Sequence, residues 1–235
     1  MITRCVLVML VATGIVVAGP VKALTAPAQI VCRAAPVPRN STVTLIAPRI
    51  AINGLPMAIV QASSPLSPKA FLQFYAKAWV GEDGKPRYVH YPLGSWKVIA
   101  HGDRDGCFYT VQVRPQGART VALIGVSMPG RSSASASNLN VTAPGDARVL
   151  THMVSEDGGK LGDTWLLYTA NPPVTVAHFY TQMLKAQGWV RLMQQRTPGS
   201  GVQIVQMYQK GSSDMGLVVQ PMHNGSTITL TVERR

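Results

Sequence analysis

Acidic residues are scarce in this chain: 10 Asp and Glu stand against 22 Lys and Arg in 235 residues. Paired carboxylates for acid–base or glycosidic chemistry would have to come from those ten. Most of them, Glu82, Asp83, Asp103, Asp105, Glu156 and Asp157, lie close to glycine in segments that read as turns. Cysteine is scarcer still, and Cys32 and Cys107, far apart in sequence, do not make a metal-ligand set. The five histidines, His90, His101, His152, His178 and His223, are dispersed, with no His-x-x-x-His pair and no His-Glu-x-x-His. Gly-x-Ser-x-Gly is missing too. Gly125-Val126-Ser127-Met128-Pro129-Gly130 has one residue too many, and a proline follows where a helix should begin. Gly158-Gly159-Lys160 lacks the Ser or Thr of a phosphate loop. Asp103-Arg104-Asp105-Gly106 starts like a calcium loop but lacks the next alternate ligand and the closing glutamate, so it reads as a hairpin turn. No cofactor and no metal are expected, and after residue 23 no apolar run has the roughly 20 residues of a membrane-crossing helix.

What the chain does have begins at its start. Arg4 gives a positive first segment, residues 6–18 are almost wholly apolar, and Gly19-Pro20 precedes Val21-Lys22-Ala23, a small-residue cleavage site. Residues 1–23 therefore read as a secretory signal removed after Ala23. Gln29-Ile30-Val31 before Cys32 is no lipobox. The expected location is periplasmic or secreted, in a bacterium. Cys5 leaves with the signal, and Cys32 with Cys107 form a possible disulfide in an oxidising compartment. Loss of Arg4 and Lys22 leaves 20 basic against 10 acidic residues, a net charge of +10. Such a charge favours anionic lipid or envelope polymer as partners. Yet there is no run of four basic residues and no specific nucleic-acid motif, so the charge reads first as a solvated surface.

Part of the chain occurs twice. Phe71, Phe74, Tyr75, Ala78 and Trp79 are matched, each 105 residues later, by Val176, Phe179, Tyr180, Met183 and Leu184. Both sets fall at i, i+3, i+4, i+7 and i+8, the stripe of an amphipathic helix, with Pro68 or Pro173 just upstream. The pattern Phe179-Tyr180, Leu184 and Gly188-Trp189 is similar to a segment of many small exported bacterial domains; it covers a small part of the chain and implies no activity.

The organisation expected is a signal at 1–23, an N-terminal extended segment at 24–48, a first repeat at 49–128, a Ser/Ala/Gly-rich linker at 129–148 and a second repeat at 149–235. In the second repeat, 149–154 and 164–169 read as strands before the helix. A strand at 202–210 follows it, then a hairpin turning at Asn224-Gly225, whose last strand alternates Ile228, Leu230 and Val232 with Thr227, Thr229 and Thr231. In the first repeat, strands at 49–52 and 57–61 flank Asn53-Gly54, Ser67 caps the helix, and Trp96 aligns with Trp189. The fold class expected is α+β: a tandem repeat of two small two-layer units, each an antiparallel sheet with one helix on one face. Each unit, of roughly 80 residues, is small enough to need the other or a partner.

The segment 82–95 reads as an insertion without a counterpart in the second repeat. Its Tyr88, His90 and Tyr91 are the candidate partner-binding residues. Signal, duplication and missing catalytic motifs together point to a non-enzymatic envelope protein that binds another protein, as an accessory or assembly factor of a surface machine. Two alternatives remain: a salt-sensitive binder of anionic envelope polymer or lipid, and an envelope hydrolase using His101, Asp103 or Asp105.

Overall fold

The computed structural model describes residues 29–131, 141–197 and 202–234; the expected signal and residues 132–140 of the expected linker lie outside these. The elements run β1 (Thr42–Ile52), β2 (Leu55–Ser64), α1 (Pro68–Ala78), β3 (Tyr88–Leu93), β4 (Trp96–Gly102), β5 (Phe108–Gln116) and β6 (Arg119–Ser127). They continue with β7 (Arg148–Asp157), β8 (Lys160–Thr169), α2 (Pro173–Ala186), β9 (Val190–Arg196), β10 (Ile204–Lys210), β11 (Ser213–Met222) and β12 (Gly225–Arg234). All twelve strands join in one antiparallel sheet, in the order β3-β4-β5-β6-β2-β1-β7-β8-β12-β11-β10-β9.

This corrects the expected fold class. The described residues are mostly β, a single sheet carrying two helices, and not two separate two-layer α+β units. The physical reason lies at the centre. β1 and β7, which would be open edges of separate sheets, pair with each other through Arg49–Glu156, Ile50–Ser155, Ala51–Val154 and Ile52–Met153, and so satisfy one another's backbone groups. The order of elements on the two sides of this pairing is nonetheless the same, two strands, a helix and four strands.

Local chemistry explains the elements. The turn between β1 and β2 needs positive φ at both central residues, and Asn53 (50°) with Gly54 (79°) supplies it. The Ser67 hydroxyl accepts a hydrogen bond from the Ala70 amide at 3.3 Å, capping α1, and Pro68 sits in the first turn, where its missing N–H costs nothing. α1 buries Phe71, Leu72 and Tyr75, and α2 buries Val176, Ala177, Tyr180 and Leu184. Register carried across β1 and β7 puts both helices on one face of the sheet, over two core clusters. One gathers Phe71, Tyr75, Ile99, Val111 and Ile124; the other gathers Trp165, Tyr180, Leu217 and Leu230.

Three strands were not foreseen: β3, β4 and β9. β3 occupies the expected insertion, and β9 holds the matching place at the other end of the sheet, so that segment does have a counterpart. Trp96 opens β4 whereas Trp189 precedes β9, which places the two tryptophans one strand apart. β1 also starts at Thr42 rather than at 49, and the last hairpin turns at His223–Asn224, with Gly225 already in β12.

The helix-bearing face is completed by two irregular segments. Residues 29–37 cross the first half, held by the disulfide Cys32–Cys107, by the Tyr75 hydroxyl donating to the Pro36 carbonyl at 2.6 Å and by Tyr109 donating to the Arg33 carbonyl at 3.3 Å. Residues 141–147 cross the second half. There the Asp146 carboxylate accepts from the Thr169 hydroxyl, the Ala170 amide and the Asn171 side-chain amide, each at 2.7–2.8 Å. Those bonds, the Thr169 hydroxyl first, hold the Asp146 carboxyl below the usual Asp range.

Candidate functional site

The two ends of the sheet differ in chemistry. β9 carries Arg191 and Arg196 and an irregularity opposite Met207 and Tyr208, features that obstruct pairing with a further strand. β3 carries no Asp, Glu, Lys or Arg. Its one obstruction is Pro92, a residue tolerated at a sheet edge because it cannot donate to a neighbour. The residues flagged from sequence fall on this strand but on two faces. Tyr88 and His90 share the helix-bearing face with their register partners His101 and Ile99, their rings 5.1 Å apart and edge-on. Tyr91 points to the opposite face with Val89 and Leu93, where the three are 42%, 60% and 51% exposed. Both end strands expose three apolar side chains, Val190, Leu192 and Met193 doing so on β9, and the two ends differ in that β3 is uncharged and regular.

Beside β3, at the end of α1, lies a polar pocket of about 490 Å³ lined by Trp79, Asp83, Arg87, His101, Asp103 and Arg104 among others. His101 forms a three-ring cluster with Trp79 at 5.0 Å and Tyr109 at 6.2 Å, both nearly parallel to it and themselves 6.3 Å apart. Its Nδ1 is 2.5 Å from the Arg87 carbonyl oxygen. A carbonyl only accepts, so Nδ1 carries the hydrogen and Nε2 of the neutral ring is left as an acceptor. Asp103 Oδ1 accepts from the Asp105 and Cys107 amides at 3.0 and 2.8 Å, and Oδ2, at 3.4 Å, shares the one Tyr109 hydroxyl hydrogen with the Arg33 carbonyl, so this carboxylate is committed to its turn. Burial, and then Asp103, push the Tyr109 hydroxyl up from its ordinary pKa. Arg87 pairs with Asp83 at 3.1 Å. The pocket thus brings His101 and Asp103 together, while Asp105 stays on the exposed turn and contributes only its amide. It holds a positioned base but no serine or cysteine among the residues that line it.

Sequence reasoning missed two ion pairs near the centre. Arg49 pairs with Glu156 across the β1–β7 join. His152 Nε2 lies 2.8 Å from Asp163 Oδ1, with side chains 11% and 3% exposed, and the His152 ring stacks on Trp165 at 5.0 Å. Asp163 Oδ2 and Trp165 Nε1 have no hydrogen-bond partner among the described residues. No sequence signal marks either pair, because each depends on a strand register. Among the described residues no three His, Cys, Asp or Glu side chains gather where they could hold a metal ion, and no helix is long and apolar enough to cross a membrane. Comparison of the chain with protein-family models, with curated proteins and with solved structures finds no match in any of the three.

Proposed function

We propose that the protein is exported, is not an enzyme and binds another protein as an accessory or assembly factor of a cell-surface machine, and that the partner contributes an extended segment which adds to β3. The observation that carries this reading is the contrast between the ends of the sheet: both expose apolar side chains, but β9 is charged and irregular and β3 is neither. Strand addition draws its affinity from main-chain hydrogen bonds along the edge and its selectivity from side chains at alternate positions. Tyr88 and His90 would meet the added strand on one face, Tyr91 on the other. The test is capture of partners from envelope extracts by the purified protein and by its Tyr91→Lys variant. The reading expects defined proteins with the former and their loss with the latter; the protein recovered alone in both cases would overturn it.

A second reading, an envelope hydrolase, draws on one observation, His101 held by its Nδ1 at the Arg87 carbonyl and lining a pocket with Asp103. It expects turnover in a broad substrate screen that disappears in His101→Ala. No turnover by the unaltered protein would set it aside.

A further inference from the structure

Between residues 29–35 and the strands β1, β2 and β6, on the helix-bearing face, lies a cavity of about 560 Å³. Its floor is apolar, made of Ala58, Val60, Ile124 and Val126, and the basic residues among those that line it are Arg33 and Arg49. The other half of the sheet shows what this space looks like when side chains fill it. Val60 pairs with Ile124 and Ala58 with Val126, just as Trp165 pairs with Leu230 and Asp163 with Val232. Ala58 and Val60 therefore hold the places that Asp163 and Trp165 hold in the second half. There the Trp165 indole is fully buried and stacked on His152, and the remaining cavity is about 300 Å³. In the first half two small side chains leave the larger space lined by hydrocarbon.

We propose that this cavity is a binding site for a single-chain anionic amphiphile, an acyl chain ending in a carboxylate, with the chain on the Ala58–Val60–Ile124–Val126 floor and the carboxylate at Arg33. Size supports this, since the volume falls within the roughly 300–1,000 Å³ of small-molecule sites, which are mostly apolar with a few polar groups that orient the ligand. Charge supports it as well. Arg49 is already paired with Glu156, whereas Arg33 is an exposed lining residue whose charge also acts on the Tyr109 hydroxyl, and a guanidinium presents two parallel donors to a carboxylate. A cationic amphiphile would meet like charge at the same place. The site shares no residue with β3, so its failure leaves the strand-addition reading standing, and the reverse holds too.

The test is isothermal titration calorimetry of the disulfide-intact protein with monomeric decanoate, repeated with decanol. Expected is saturable binding at one site with a negative heat-capacity change, the mark of apolar burial. Val60→Trp, which copies the residue found at the matching place, should weaken decanoate at least tenfold by filling the floor. Arg33→Glu, at an exposed side chain, should weaken decanoate at least tenfold and leave decanol unchanged, with an unchanged thermal melt as the check on its fold. The absence of saturable binding to the unaltered protein overturns the proposal. So does equal decanoate affinity in Arg33→Glu, or association with phosphatidylglycerol vesicles when monomeric decanoate does not bind, which would assign the charge to a membrane surface.

Discussion

Asp163 and His152 set the chemistry at the residue scale. Burial pushes the Asp163 carboxyl above the usual Asp range, and although the hydrogen bond and charge of His152 and the charge of Arg234 oppose this, burial prevails. A raised value in the folded state means that the folded chain binds this proton more readily than the unfolded one. The stability it contributes is therefore fully present below the unfolded value of about 3.9 and declines as pH rises through the folded one. Removing the partner with His152→Ala takes the hydrogen bond from a buried carboxylate and leaves the Arg234 charge near it, and the expected cost at neutral pH is about 3 kcal/mol. Urea denaturation over a pH series should show that cost shrinking as pH falls and Asp163 takes up its proton; a cost independent of pH would contradict the assignment. Tyr75 and Tyr180 act at the alkaline end. Burial pushes both hydroxyls well above their ordinary pKa, so their contribution is present below about 10 and is lost as pH rises beyond it. The two differ in partners. Tyr75 donates to Pro36, so Tyr75→Phe should cost about 1 kcal/mol, whereas Tyr180 has no hydrogen-bond partner among the described residues, so Tyr180→Phe should be neutral or stabilising. Both variants should lose less stability than the parent between neutral pH and pH 11, as thermal melts would show.

At the scale of elements, the segment 29–37 depends on one covalent tie. Cys32–Cys107 spans a separation of 75 residues, and on the chain-entropy account its loss should cost about 4 kcal/mol, read as a lowered urea midpoint after reduction. Which elements could be read from sequence follows from burial. α1 and α2 were legible because their apolar residues recur at the helical period against a sheet, and β12 because Ile228, Leu230 and Val232 are buried in alternation. β9 was not, since every residue in it is exposed and no period forms. β4 was hidden for the opposite reason: Val98, Ile99 and Ala100 are all buried, a continuous run that does not alternate. Of the candidate site, Tyr88, His90 and Tyr91 were singled out as loop residues and His101, Asp103 and Asp105 as hydrolase candidates, but that the first three form an end strand could not be seen while β3 passed as an insertion.

For the whole molecule, the misjudged feature was the connection between halves. Hairpin turns such as Asn53-Gly54 announce which neighbouring strands pair, yet nothing local announces that β1 will pair with β7 some hundred residues later. That join is short, four residue pairs against ten between β11 and β12, and the two core clusters lie on either side of it. Native-state hydrogen exchange should therefore find the amides of β1 and β7 at the join less protected than those of β11 and β12; equal protection would mean that the halves open only together. The central claim concerns the free ends of this sheet, and the most direct measurement is site-specific photo-crosslinking in intact cells. A photoreactive phenylalanine analogue would replace Tyr91 on β3 in one strain and Met193 on β9 in another. The account predicts discrete crosslinked partners from position 91 and none from 193, and an absence of products from 91, or the same products from both, would contradict it.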